Sequence, residues 1–323
     1  LCLIRLSSGS ETPADTLEKI PVIFDTDIGT DIDDAFALAL VLASPELELR
    51  GVTTVSGDAF TRAMIACRFL DAVGGPQSPV AAGLPPREVP EWAGQYQYGL
   101  RPARKRPVKD SAVEFLYRTL KADPGRITLI TVGDLTNVGR LIRRHPEAKA
   151  WIKRIVLMGG SIRVGYQGTP PIEREWNIRS DVAAAQTVFR SGIPLVVAPL
   201  DATVALKLTE PHRGRIFAAD SLLCRHLHAL YELWGKPTPT LFDPVAVTLA
   251  FDESFCTMEE LRIEVDDNGF THEVSGAPNC RVATGIRAED YLRWYVKRIS
   301  AASGRGSAVP EEPGNVASLV PRG

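Results

Sequence analysis

Apolar residues in this chain fall into short runs bounded by turn formers. They occupy positions 21–24 (PVIF), 49–55 (LRGVTTV), 127–132 (ITLITV), 155–158 (IVLM) and 195–198 (LVVA). Runs rich in Val, Ile and Leu without polar alternation predict strands covered on both faces. Between them, apolar positions recur at helical spacing over 34–43, 61–73, 111–121, 138–144 and 181–191. Strands alternating with helices predict an α/β fold: a Rossmann-like, open, parallel-dominated sheet flanked by helices. Past residue 261 the pattern changes to a hairpin around Asp267-Asn268-Gly269 and a final helix over 288–299. No repeat or linker divides the chain, so a single domain over 20–302 is expected, with an extension over 1–19 and a tail over 303–323.

Two segments interrupt this rhythm. Residues 84–107 are proline-rich and carry Trp92, Tyr96 and Tyr98, while residues 162–174 are rich in Gly and Pro. Long loops in compact α/β proteins are either binding loops or tolerated surface insertions. The apolar start, LCLIRL, fits either the remainder of an export signal or a cloning boundary, and LVPRG at the far end resembles a thrombin-cleavage linker.

Composition narrows the partners. The chain has 323 residues, 45% hydrophobic, with 37 Lys+Arg against 39 Asp+Glu and a net charge of −2. This excludes disordered, collagenous and coiled-coil classes. It provides no basic footprint for nucleic acid, and no apolar run is long enough for a membrane span. Five scattered cysteines, Cys2, Cys67, Cys224, Cys256 and Cys280, form no CxxC pair, so neither zinc nor a disulfide framework is expected. They fit buried apolar positions in a reducing, cytoplasmic setting, although a removed export signal remains compatible with the chain start.

Chemistry concentrates in residues 24–38, FDTDIGTDIDDAFAL, where Asp25, Asp27, Asp31, Asp33 and Asp34 lie between the first strand and a helix. Open α/β sheets build ligand crevices at such strand ends. One or two acids there would serve as helix caps. Five would repel one another unless a positive charge sits among them, and no Lys or Arg is adjacent. Clustered hard oxygen ligands point to Ca²⁺ or Mg²⁺. The spacing is not that of an EF-hand.

Asp25-Thr26-Asp27 begins like the D-x-D of haloacid-dehalogenase-type phosphohydrolases, but Gly29 and the extra acids Asp33-Asp34 depart from that pattern. The turn more closely resembles the D-x-D-P-G-x-D-D-A signature of the inosine–uridine-type nucleoside hydrolases, with Ile28 for Pro and an insertion. The likeness continues in order: GVTTVSGD (51–58), VAAG (80–83), TVGDLTN (131–137), Met158-Gly159-Gly160, Glu175-Trp176-Asn177, Leu200-Asp201 and Asp243-Pro244. It extends from about residue 20 to about residue 299.

This resemblance implies a nucleoside substrate, a homodimer or homotetramer, and hydrolysis of an N-glycosidic bond. It implies Ca²⁺ held by Asp27, Asp34, the Val132 carbonyl and Asp243, with Asp27 accepting a proton from the attacking water. Asp33, Glu175 and Asn177 would hold ribose hydroxyls, with Asp58 and Met158 also in the substrate site. The departures bear on the leaving group. Phe242 stands where many members have His, and Asp58 where they have Asn. All five histidines lie outside the matched motifs; His226 and His228 fall in a stretch that could still reach the site but better fit a solvent-facing helix. Aromatic stacking by Phe242, Trp176 and Trp92 would then favour a purine base. Blander roles compete: Asp243 could cap a helix over 245–250, Asn177 could be a turn residue, and Asp201 could be structural. Two other functions remain open, a Mg²⁺-dependent phosphohydrolase and a noncatalytic nucleoside- or sugar-binding relative.

Overall fold

The computed structural model describes residues 18–84 and 93–302; Cys2 and Trp92 lie outside the described residues, as do most of the expected extension and tail. The chain begins β1 (Ile20–Thr26), α1 (Asp33–Ala43), β2 (Leu47–Thr54), α2 (Ala59–Ala72) and β3 (Val80–Ala82). It continues through α3 (Tyr96–Gly99), α4 (Ala112–Ala122), β4 (Thr128–Thr131), α5 (Thr136–Arg144) and β5 (Arg154–Met158). Then come α6 (Trp176–Ser180), α7 (Val182–Phe189), β6 (Leu195–Ala198), α8 (Leu200–Thr203), α9 (Glu210–Phe217) and α10 (Leu222–Trp234). The last part holds α11 (Asp243–Leu249), β7 (Cys256–Leu261), β8 (Ile263–Val265), β9 (Thr271–Glu273), β10 (Cys280–Ile286) and α12 (Ala288–Ser300).

Eight strands form one sheet in the order β3-β2-β1-β4-β5-β6-β10-β7. All neighbours are parallel except the edge strand β7, which runs antiparallel to β10. The five apolar runs become β1, β2, β4, β5 and β6, and the five helical patterns become α1, α2, α4, α5 and α7, within about two residues. The turn at Asp267-Asn268-Gly269 joins β8 to β9 in a separate two-stranded sheet. The run VAAG (80–83) contributes Val80–Ala82 to β3. Strand β7 was not anticipated because its polar-rich sequence, CTMEEL, belongs to a half-exposed edge.

Alternate side chains of each central strand enter different cores, as the pleat requires. Val22 and Phe24 pack with α1, α2, α11 and α12, whereas Ile23 packs with α4, α5 and α7. The sheet is therefore covered on both faces, which explains strands without polar alternation.

The strand order reverses at β1, which pairs with β2 on one side and β4 on the other. Such a switch point opens a crevice beyond the carboxyl ends of the two strands. In register, Asp25 lies beside Thr131, so the aspartate-rich turn emerges next to Val132.

Candidate active site

The turn after β1 bends sharply at Gly29, whose φ of +124° is outside the ordinary range of L side chains. A Cβ there would stand 2.8 Å from a Tyr96 ring carbon and 2.9 Å from Ile65. The proline-rich segment supports this turn from outside. Gln95 donates from Nε2 to the carbonyls of Thr30 (3.2 Å) and Asp31 (2.8 Å).

The turn ends at the start of α1, where Asp33 and Asp34 occupy the first helical positions and no side chain caps the helix. Asp243 occupies the first position of α11, again without a side-chain cap. Two helix N-termini thus bring acids to one place, where their positive dipole ends favour negative charge. Asp33, Asp34 and Asp243 are buried and offer oxygens within 4.8 Å of one another. Burial, then repulsion from the neighbouring aspartates, Asp27 and Asp31 among them, holds all three carboxyls well above their ordinary range. Thr26 Oγ1 donates to Asp34 at 2.5 Å, the main local support for its ionised form.

Asp27 is 8% exposed and lines the same cavity, which measures about 430 Å³. Burial pushes its carboxyl up to about 6, opposed chiefly by Arg62. Sequence reasoning missed this arginine. Its side chain is buried, reaching from α2 to the carbonyls of Asp27 and Ile28 and to Ser56. An Arg among the buried positions of the helix AFTRAMIACRFLDA, alongside Ala63, Ile65 and Ala66, was the available signal. One guanidinium, bonded to backbone oxygens, leaves most of the carboxylate charge unmatched. The donor set remains all oxygen, buried and acidic, as a hard divalent cation requires. A metal ion fits this cluster.

Glu175 caps α6, accepting from the N–H groups of Asn177 (3.0 Å), Ile178 (3.1 Å) and Gly160 (3.0 Å). Burial raises its carboxyl to about 7, with those N–H groups opposing. Asn177 is held by this cap and donates to the carbonyls of Val132 (2.8 Å) and Met158 (3.1 Å). Both Glu175 and Asn177 line the cavity, as do Val132 and Met158.

Three aromatic residues, Tyr166, Trp176 and Phe242, also line the cavity. Phe242 and Tyr166 meet edge to face at 6.3 Å, and Tyr166 Oη accepts from the Trp176 backbone N–H at 2.9 Å. Trp176 is 51% exposed, with the Arg179 guanidinium 4.6 Å from its ring centre. Tyr166 was not foreseen; the loop at 162–174 delivers it. That loop is pinned by Asp201, which accepts from the N–H groups of Ile162 (2.9 Å) and Arg163 (2.8 Å), so Asp201 is structural.

Other expectations need correction. Asp58 does not join the cavity lining; it caps α2, accepting from the Thr61 N–H (3.0 Å) and hydroxyl (2.7 Å). Asp243 does not act as a helix cap, because Phe242 holds the cap position. His226 is buried, not solvent-facing, and lies 3.0 Å from Tyr98 Oη; His228 is exposed and pairs with Glu232. The described cysteines are free, and all but the half-buried Cys256 are buried. No helix among the described residues is long and apolar enough to cross a membrane.

The phosphohydrolase alternative has no support. Asp25, the first acid of its motif, is absent from the cavity lining. One of its oxygens accepts from Thr53 (2.5 Å) and Asn137 (2.8 Å), and burial raises its carboxyl to about 7.

Comparison with known proteins agrees with this geometry. Residues 22–293 match the family described as inosine-uridine preferring nucleoside hydrolase. Pyrimidine-specific ribonucleoside hydrolases RihA from Salmonella gallinarum and Citrobacter koseri are 32% identical to this chain, covering 87% of it and 98% of theirs. Among solved structures, the plant nucleoside hydrolase PpNRh1 superposes with a TM-score of 0.79 at 24% identity, over 88% of this chain and 100% of that one. A purine-preferring ribonucleoside hydrolase from Gardnerella vaginalis gives 0.76 at 26% identity, over 87% and 98%. With the carboxylate cluster at the switch point and the match running through nearly every element of the sheet, the chain belongs to the inosine-uridine preferring nucleoside hydrolase family and is an N-glycosyl hydrolase.

Proposed function

We propose that this enzyme is a calcium-dependent ribonucleoside hydrolase with a preference for purines. The observation that carries the proposal is a single cavity lined both by Asp27 and the Asp33–Asp34–Asp243 cluster and by the aromatic rings of Tyr166, Trp176 and Phe242. Asp27, Asp34, Asp243 and the Val132 carbonyl would hold the ion. When bound, calcium would offset the carboxylate charge, orient vicinal ribose hydroxyls and acidify a water.

The remaining work falls to the chain's own groups. Asp27 takes the proton of the water that attacks the anomeric carbon. The sugar passes through an oxocarbenium-like state, which surrounding carboxylates favour. Asp33 and Asn177 hold ribose hydroxyls. Glu175 keeps acceptor capacity beyond its three N–H bonds and keeps Asn177 in place. Phe242, Tyr166 and Trp176 provide faces for a flat base, where each stack is worth about 1–3 kcal/mol. The larger purine ring gains more from such a wall than a pyrimidine does. The pyrimidine-specific names of the 32%-identical relatives support the opposite preference, so the two readings are tested together.

The test is ribose release from inosine, guanosine, uridine and cytidine, with chelator and with calcium restored. Higher kcat/KM for the purines, lost on chelation and recovered with calcium, is expected. Uridine turnover equal to or above that of inosine overturns the aromatic reading. Nucleoside binding without turnover identifies a noncatalytic relative. Asp27→Ala should lower kcat by about 10²–10⁴-fold, the usual weight of a general base, with the fold intact; near-wild-type activity removes Asp27 from that role.

A further inference from the structure

The departing base is the unsolved half of this reaction. When the C1′–N bond breaks, its electron pair stays on the base, which leaves as an anion unless a proton reaches it. A cavity lined by Asp27, Asp31, Asp33, Asp34, Glu175 and Asp243 opposes that anion. Among the described residues lining the cavity there is one cation, Lys236.

The fold places this side chain deliberately at the cavity. Helix α10 ends at Gly235, whose left-handed φ of 76° turns the chain so that the next residue leaves the helix axis. Lys236 Nζ then lies 5.3 Å from the centre of the Trp234 ring. Such a contact is worth about 0.5–1 kcal/mol at an exposed site, enough to bias the ammonium without neutralising it. Among the described residues Lys236 forms no ion pair, whereas eleven arginines do. An ammonium has three donors and no acceptor, so its free N–H groups suit a ring nitrogen or carbonyl oxygen of a base. The same cavity holds Phe242, Tyr166 and Trp176, the faces against which that base would lie.

We propose that Lys236 is the general acid for the leaving base. This rests on the ribonucleoside reading above. In the balanced step, the C1′–N bond breaks and its electron pair remains on the base. A base nitrogen or carbonyl oxygen takes a proton from Lys236 Nζ, the water oxygen bonds to C1′, and its proton passes to Asp27. The neutral amine then regains a proton from solvent, while Asp27 gives one up.

The test compares two ribosides in the calcium-loaded enzyme. One is the best nucleoside of the panel; the other is p-nitrophenyl β-D-ribofuranoside, whose phenolate leaves as a stable anion. The readout is the ratio of their kcat/KM values. In Lys236→Met this ratio should fall by about 10²-fold or more, the usual weight of general acid catalysis. A structural lesion would lower both substrates together and leave the ratio unchanged. In Lys236→Arg the ratio should stay low, because a guanidinium keeps charge but does not release its proton. An unchanged ratio in Lys236→Met overturns the proposal. Full recovery of the ratio in Lys236→Arg also overturns it, since charge alone would then suffice. A wild-type enzyme inert on both ribosides overturns the ribonucleoside reading itself, and this proposal with it.

Discussion

Removing divalent ions should reverse the usual pH dependence of stability in this protein. Asp33, Asp34 and Asp243 hold carboxylate oxygens within 4.8 Å of one another. At an effective dielectric of about 20, two ionised groups at that distance repel by ~3.5 kcal/mol. That exceeds the ~2.7 kcal/mol equivalent to two pKa units. The metal-free cluster therefore keeps protons that the unfolded chain releases. Burial acts in the same direction at Asp25 and Glu175, each raised to about 7. A carboxyl with a raised folded pKa stabilises the fold fully below its unfolded pKa, and that contribution is lost as pH climbs through the folded value. With at least two protons held in excess, stability falls by at least ~2.7 kcal/mol per pH unit. The window runs from the ordinary glutamate value of 4.5 to about 7. Carboxylates held low by exposed arginines, such as Glu259 at about 2, titrate below it.

The assay is calorimetry on protein stripped of metal and scanned in metal-free buffers across that window. At about 2–4 °C per kcal/mol, Tm should drop by roughly 5–10 °C per pH unit or more. On the calcium reading, bound calcium would keep the cluster ionised, so the slope should flatten, and calcium at 100 times its Kd would add about 2.7 kcal/mol. A metal-free Tm that rises with pH through this window would refute the reasoning, as would a slope unchanged by calcium.

Two substitutions separate positions that look alike in the sequence. Asp58→Ala should cost about 1 kcal/mol of stability through the lost α2 cap and leave kcat/KM unchanged, measured by urea unfolding and ribose release. Gly29→Ala should cost about 1–3 kcal/mol, because the new methyl meets Tyr96 and Ile65 at a strained φ. It should also weaken calcium binding in isothermal titration; unaltered stability and affinity would show a pliable turn.

The acidic turn was legible because its signal is local: a strand, then acids, then an apolar helix. Asp243 could be paired with that turn from the resemblance, but its convergence with Asp33 and Asp34 depends on α11 packing against α1. Asp58 was misplaced because a helix cap and a ligand share the same residue type and the same strand-end position. Nothing beside the acidic turn pointed to Arg62, Tyr166 or Lys236, since each reaches the site from a separate element.

Periodicity alone established the α/β class, the parallel-dominated sheet and a concentration of carboxylates at one strand end. These are properties of neighbouring residues, and neighbours in sequence remain neighbours in the fold. Which carboxylates share a cavity, and that aromatic rings and one lysine line it with them, was decided by the reversal of strand order at β1 and β4 and by the helices around it. Those placements come from packing between distant segments, where the gain in burial depends on the whole arrangement and no local pattern records it.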